Sequence, residues 1–231
     1  MTWSRRASPQ PIVCGHRGTP AHEPENTLAS FAAAAALGAT WIEFDVRPAK
    51  DGELAIHHDP QTSSGVHIAS TNFAELDPSI PRFGDLVAAQ PALGLDIELK
   101  TDGIDMSIES FADIVLDQID SHCASTLNLI VTSFDAAILE LVRELRPHIA
   151  TGLVFRKTRP ADAIKIAVDA GHVALAPWVH LLTPELVDNV RSAGLDIITW
   201  TVNQPQQVRL AVELGVDMII GDDPTVIIDN L

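Results

Sequence analysis

Residues 41–58 read WIEFDVRPAKDGELAIHH, and the fold turns on how this stretch is divided. An apolar run at 41–46 is interrupted at alternate positions by Glu43 and Asp45, a second run occupies 54–57, and Asp51-Gly52 lies between them. Asp-Gly between two extended runs is a strong hairpin signal, and the intervening chain is too short for a helix. Folded about that turn, the second run returns antiparallel on the first and brings Asp45 opposite His58. It is a side branch of the sheet.

The rest of the chain alternates. Short runs resembling buried strands occur at 12–15, 41–46, 95–99, 127–132, 151–155, 173–176, 197–202 and 218–220. Amphipathic helices are expected at 27–37, 106–120, 135–145, 160–170, 183–193 and 205–214, with a short final one at 224–230. Starts are marked by Asn26 before Thr27, by Ser133 and Asp135, by Thr183-Pro184 and by Asn203 before Pro205, and ends by Gly38, Gly171, Gly194 and Gly215. Strand–helix alternation argues for a parallel sheet. With the 54–57 return strand set aside, eight strand–helix units remain, the pattern of an α/β (β/α)8 TIM barrel with a short β-hairpin/loop insertion after the second barrel strand. A doubly wound open sheet would call for a nucleotide loop, and neither G-x-G-x-x-G nor a P-loop is present. One domain over 1–231 is expected, with 46–80 as a hairpin and short cap, and 60–80 within it polar and loop-like.

Composition narrows the function. The 231 residues are 46% hydrophobic, with mean hydropathy +0.17, so a disordered or fibrous chain is excluded. Fifteen Lys and Arg against 31 Asp and Glu leave a net charge of −16. Such a chain repels nucleic-acid backbones and offers no polybasic patch for stable membrane association. An anionic substrate would need a locally positive site. Cys14 and Cys123 make no disulfide framework and read as buried small hydrophobes. No run of 18 apolar residues occurs, and the first ten residues lack an apolar core, so a soluble cytoplasmic protein, monomer or homodimer, is expected.

In a barrel the chemistry lies at the carboxyl ends of the strands. Those positions carry Gly15-His16-Arg17-Gly18, then Glu43 and Asp45, Glu98 and Lys100, Ser133, Trp200, and Asp222-Asp223, while the hairpin returns His57, His58 and Asp59. Glu43 and Asp45, two residues apart, share one face of their strand. Two such carboxylates repel unless a cation intervenes, and Glu98 supplies a third. All-oxygen ligands fit Mg²⁺ or Ca²⁺. Salt bridges to Lys100 or Arg47 explain the same carboxylates without a metal, and the spacing alone does not separate the two readings. His16 and His58 suit acid and base roles. His57 points away by alternation, and the other histidines read as core or surface residues. Arg17 and Lys100 suit a phosphate, and Trp200 either walls an apolar part of a substrate or packs a barrel layer.

Together, Gly15-His16-Arg17-Gly18, Pro24-Glu25-Asn26-Thr27, Glu43-Phe44-Asp45-Val46, Asp51-Gly52, His58-Asp59, Ile97-Glu98-Leu99-Lys100, Ser133-Phe134-Asp135, Trp200-Thr201-Val202-Asn203 and Gly221-Asp222-Asp223-Pro224 resemble the glycerophosphodiester phosphodiesterase family. The resemblance runs in order over nearly the whole chain. It implies a barrel that hydrolyses a small-molecule glycerophosphodiester to glycerol 3-phosphate and an alcohol. It also implies metal binding by Glu43, Asp45 and Glu98, an acid/base pair in His16 and His58, phosphate binding by Arg17 and Lys100, and Trp200 against the glycerol. The substrate's own 2-hydroxyl as nucleophile, with a cyclic phosphate then hydrolysed, is a further implication. The family usually carries a longer insertion after His58-Asp59, so the short one here predicts an open mouth. Asp59 would assist the metal or orient His58. The rivals are a phospholipase D-like or phosphoinositide-directed phosphodiesterase and a catalytically silent phosphate-binding barrel.

Overall fold

The computed structural model describes residue 3, residues 10–124 and residues 128–231. Eight parallel strands close on themselves: β1 (Ile12–His16), β2 (Trp41–Pro48), β4 (Gly94–Leu99), β5 (Leu129–Ser133), β6 (Thr151–Phe155), β7 (Ala174–Pro177), β8 (Asp196–Thr199) and β9 (Met218–Gly221). Their order is β1-β9-β8-β7-β6-β5-β4-β2, and β2 pairs back onto β1. The expected start of the fifth strand at Leu127 lies outside the described residues, as do residues 1, 2 and 4–9 of the N-terminal stretch.

The ninth strand is β3 (Leu54–Ile56), antiparallel on β2. β1 pairs only with Trp41–Glu43 of β2, so the outer edge of Val46–Pro48 would be unpaired; β3 covers it. The register is Val46↔Ile56, and the His57 N–H donates to the Asp45 carbonyl at 3.0 Å. Asp45 thus faces His57 rather than His58, because the turn over residues 49–53 is one residue shorter in register than an Asp51-Gly52 fold implies.

The helices follow the strands: α1 (Leu28–Ala36), α2 (Phe83–Ala89), α3 (Ile108–His122), α4 (Ala136–Leu145), α5 (Pro160–Ala170), α6 (Pro184–Ser192), α7 (Pro205–Glu213) and α8 (Pro224–Ile228). The sequence reading lacks α2. Arg82 caps it without a side-chain bond and Gly84 sits in its first turn, so no local start is legible; burial of Phe83, Leu86 and Val87 holds it. Two expected N-caps are displaced by one residue. Thr27, not Asn26, caps α1 by accepting from the Ser30 N–H, and Gln204, not Asn203, caps α7. In both places the Asn side chain serves the site instead.

The barrel interior is filled. Alternate residues of the strands point inward, and Cys14, Trp41, Ile130, Val154, Ala174, Ala176, Ile198, Met218 and Ile220 form a closed inner core. Gly94 makes room for Trp41: a Cβ there would lie 2.2 Å from the indole. A larger core, with Phe31, Phe44, Phe83 and Phe111 fully buried in it, joins the helices to the outer faces of the strands. The polar layer at the strand ends therefore rests on a rigid floor. The segment after β3 is largely loop, as expected, but Ala49, Ala55, Ile68, Leu76 and Ile80 pack with Phe73 into a small apolar cluster of its own.

Candidate active site

The inner residues at the strand ends are polar. His16 of β1 stands beside Glu43 of β2, and Asp45 beside Glu98 of β4, each by direct strand register. This places one oxygen from each of Glu43, Asp45 and Glu98 within 4.8 Å of one another. Glu43 and Asp45 are almost fully buried. Burial, and then the charges of Asp45 and Glu98, pushes the Glu43 carboxyl well above its usual range, and Glu98 is raised by burial and Asp45. Burial alone would raise Asp45 too, but Lys100 and Arg17 beside it hold it below the ordinary value.

The chain's own cations answer only part of this charge. Lys100 Nζ lies 2.7 Å from Glu98 Oε1 and 3.3 Å from Asp45 Oδ1, and Arg17 Nε 3.2 Å from Asp45 Oδ2. The salt-bridge reading of the carboxylates thus holds for Lys100. It fails for Arg47, which turns to Asp102 at 2.9 Å and donates from Nε to the His58 carbonyl at 2.7 Å. Glu43 Oε1 and Asp45 Oδ1 are buried without a hydrogen-bond partner among the described residues. Orphaned buried carboxylate oxygens are ligands for a cation, and an all-oxygen set of this kind fits a hard divalent ion.

The loop after β1 is bent to serve this cluster. Arg17 and Gly18 both have positive φ, 50° and 88°, which turns the Arg17 N–H onto Glu43 Oε2 at 2.9 Å. A Cβ on Gly18 would lie 2.4 Å from Ser30 Oγ, so the bend requires glycine. Arg17 Nη1 donates to both oxygens of Glu25 at 3.0 Å. Asn26, at φ 56°, donates from Nδ2 to Asp45 Oδ2 at 2.9 Å. Sequence spacing marks Asn26 as a cap, and nothing local to it shows that role.

Both histidines are oriented by carboxylates. His16 Nδ1 lies 2.6 Å from Asp222 Oδ1, and Asp222 is itself held by Asn203, which donates from Nδ2 and accepts the Asp222 N–H. Burial would raise Asp222, but its bond with His16 brings it below the ordinary range. His58 Nδ1 lies 2.7 Å from Asp59 Oδ1. Asp59 accordingly orients His58 and stands outside the carboxylate cluster. His16, Arg17, His58, Glu98, Lys100 and Trp200 all line one cleft of about 500 Å³. Trp200 donates from Nε1 to the Ala176 carbonyl at 2.8 Å, and its ring meets Phe134 edge-on at 5.4 Å. It both walls the cleft and closes a small cavity above Val154, Ala176 and Ile220. Phe134 and the β6–α5 residues Arg156 and Lys157 complete the lining; motif reading missed these last two because they belong to no motif. A larger groove, about 620 Å³, runs between the cap and the start of α1, but neither histidine, none of the three clustered carboxylates, and neither Arg17, Lys100 nor Trp200 reaches it.

His57 bonds the Asp59 carbonyl and does not line the main cleft, as alternation predicts. In chemical terms the cleft combines a buried anionic cluster able to hold a cation, two imidazoles fixed by carboxylates, and a half-apolar aromatic wall. That set suits displacement at a phosphoryl centre.

Comparison with known proteins gives the same direction. Residues 16–226 match the family model for the glycerophosphoryl diester phosphodiesterase family. A glycerophosphodiester phosphodiesterase of Caldanaerobacter subterraneus subsp. tengcongensis is 30% identical, over 94% of this chain and 96% of that protein. A phosphodiesterase of Oleispira antarctica, solved in complex with the product sn-glycerol 3-phosphate, is 26% identical with a TM-score of 0.88 over 96% of both chains. The glycerophosphodiester phosphodiesterase of Thermotoga maritima is 26% identical with a TM-score of 0.81, over 95% of this chain and 97% of that one.

Proposed function

The chain belongs to the glycerophosphoryl diester phosphodiesterase family, and on that premise we propose how its residues divide the work. The protein is a phosphoric diester hydrolase that converts glycerophosphodiesters to glycerol 3-phosphate and an alcohol. The observation that carries the assignment of roles is that Glu98, on the wall of the cleft that both carboxylate-bound histidines line, has an oxygen within 4.8 Å of one from each of the buried Glu43 and Asp45.

Glu43, Asp45 and Glu98 hold the divalent ion, Mg²⁺ or Ca²⁺ by the hardness of their oxygens. When bound, such an ion offsets charge on a phosphoryl oxygen and neutralises the carboxylates. Arg17 and Lys100 flank the cluster and receive the phosphodiester anion, and Trp200 with Phe134 packs against the glycerol carbons. His16 and His58 are the acid/base pair. In the first step the substrate's 2-hydroxyl attacks phosphorus while one imidazole takes its proton. The bond from phosphorus to the leaving alcohol breaks, and the other imidazole protonates that oxygen. In the second step water opens the cyclic ester with the two imidazoles in exchanged roles, restoring both protonation states. Asp222 and Asp59 keep each ring in place and support its cationic form.

The rival readings are less favoured. A metal-free phosphoinositide-directed phosphodiesterase has no use for the Glu43, Asp45 and Glu98 cluster, and a silent binding barrel has none for two oriented imidazoles. No helix among the described residues is long and apolar enough to cross a membrane. Release of glycerol 3-phosphate from glycerophosphocholine, measured for the wild type, His16→Ala and His58→Ala, tests the assignment. Turnover by the wild type, lost in both variants, is expected; full activity in either variant removes that histidine from the mechanism.

A further inference from the structure

We infer that the β6–α5 loop forms a second, cationic subsite that selects glycerophosphodiesters whose leaving alcohol itself carries an anionic group, such as a phosphate; the inference rests on the function proposed above. The cleft is electrically unlike the rest of the molecule. It is lined by Arg17, Lys100, Arg156 and Lys157, four of the chain's 15 Lys and Arg, and by Glu98, one of its 31 acidic residues. The first two cations are already committed. Arg17 is paired with Glu25 and Asp45, and Lys100 with Glu98 and Asp45. Among the described residues neither Arg156 nor Lys157 is within ion-pair distance of a carboxylate. The uncompensated positive charge of the cleft therefore resides in this loop.

Its place in the barrel separates it from the reacting centre. β6 lies beyond β5 from the Lys100 end of β4, and four strands round from β1, so the loop faces the His16–Glu43 side across the mouth. Arg156 and Lys157 nevertheless line the same cleft as Arg17, Lys100, Phe134 and Trp200, so a phosphodiester held there has them within the cleft that its leaving group must also occupy. The Arg156 guanidinium is not a free surface arm: it lies 4.6 Å from the Trp178 ring centre, which fixes its position and lowers the entropy lost when it meets an anion. Pro160 at the first turn of α5 fixes the end of the loop, and Arg159 is drawn away to Asp162. Arg156 and Lys157 are both exposed and open to a ligand. A monoanionic diester needs no such additional pair, whereas one bearing a second anionic group does.

The test compares glycerophosphoinositol with glycerophosphoinositol 4-phosphate, substrates that differ only in the charged group on the leaving alcohol, beside glycerophosphocholine. For wild-type protein loaded with Mg²⁺ or Ca²⁺, kcat/KM is expected to be about tenfold higher for the phosphorylated substrate than for its parent, mainly through KM, with the ratio falling at high ionic strength. Arg156→Glu/Lys157→Glu should invert the ratio and favour glycerophosphocholine, whereas Arg156→Lys, which keeps the charge, should retain most of the wild-type ratio. Melting temperatures check that the variants fold. A ratio near one in the wild type, or one unchanged by the double charge reversal, overturns the inference while leaving the diesterase assignment intact. Equal losses on all three substrates also overturn it, since they reveal a general role for the loop. No turnover of any diester overturns the underlying function and this inference with it.

Discussion

His16 Nδ1 lies 2.6 Å from Asp222 Oδ1, a contact that joins the end of the first barrel strand to the loop after the last. Asn203 grips the same carboxylate from the neighbouring unit. The imidazole is thus fixed through the closure of the barrel, and its Nε2 faces Glu43 at 3.9 Å. Asp222→Asn keeps the shape and removes the charge. It is expected to lower kcat on the order of 100-fold, with KM little changed. Asp59→Asn should cost less, because Asp59 is largely exposed and water replaces its contact. Steady-state kinetics of the two variants side by side decide this, and a larger loss in Asp59→Asn would reverse the ranking.

The carboxylate cluster trades stability for function. Glu43 is buried with one oxygen unpartnered, and burial and its acidic neighbours raise its pKa. Glu43→Gln removes a repelling charge at nearly constant shape. The metal-free variant should melt at or up to about 2–4 °C above the metal-free wild type. Saturating divalent metal should raise the wild-type melting temperature and leave the variant almost unmoved. Thermal melts of both proteins with and without metal provide the check. A metal-free variant far less stable than the wild type would contradict the account.

Much of this was legible beforehand, for a physical reason. Strand ends in a closed barrel point at one place, so Glu43, Asp45, Glu98 and His16 could be gathered from period and order, and register then put Asp45 beside Glu98; His58 comes from the hairpin, whose register falls one residue from the Asp51-Gly52 expectation. What escaped depends on contacts between distant segments. Asn26 resembles a cap until the left-handed turn at φ 56° aims it at Asp45. Arg47 looks like a salt-bridge partner for the cluster until Asp102, 55 residues away, draws it outward onto the His58 carbonyl. α2 has no cap signal because tertiary burial of Phe83 and Leu86 makes it a helix.

Stability should fall in acid partly through a residue remote from the site. His172 is buried, with Nδ1 2.9 Å from Thr151 Oγ1, and burial together with nearby Arg143 lowers its pKa to about 4. An unfolded histidine titrates near pH ~6.5. Below that value the unfolded chain takes up a proton that the folded chain refuses until about pH 4, so stability declines as pH falls through this window. The loss attributable to His172 is on the order of 2 kcal/mol. His172→Gln should flatten the fall in melting temperature between these limits; an unchanged slope would exclude His172 as its cause.

Packing under the site leaves little tolerance. Gly94 faces Trp41 so closely that an added Cβ would lie 2.2 Å from the indole. Gly94→Ala should destabilise by about 2 kcal/mol while residual folded protein keeps its KM, since Gly94 lies at the opposite end of β4 from Glu98. Urea unfolding measures the first effect and kinetics the second. A neutral substitution would mean that the barrel floor is softer than its packing indicates.

The central claim is that three carboxylates hold a divalent ion that this barrel needs in order to cleave a glycerophosphodiester. The most direct measurement is glycerol 3-phosphate release from glycerophosphocholine by one preparation, assayed as purified, after EDTA, and after Mg²⁺ or Ca²⁺ is returned, beside Glu43→Ala. The account predicts turnover that EDTA abolishes and the added ion restores, and none in the variant at any metal concentration. Undiminished turnover in EDTA, or a fully active Glu43→Ala, would contradict it.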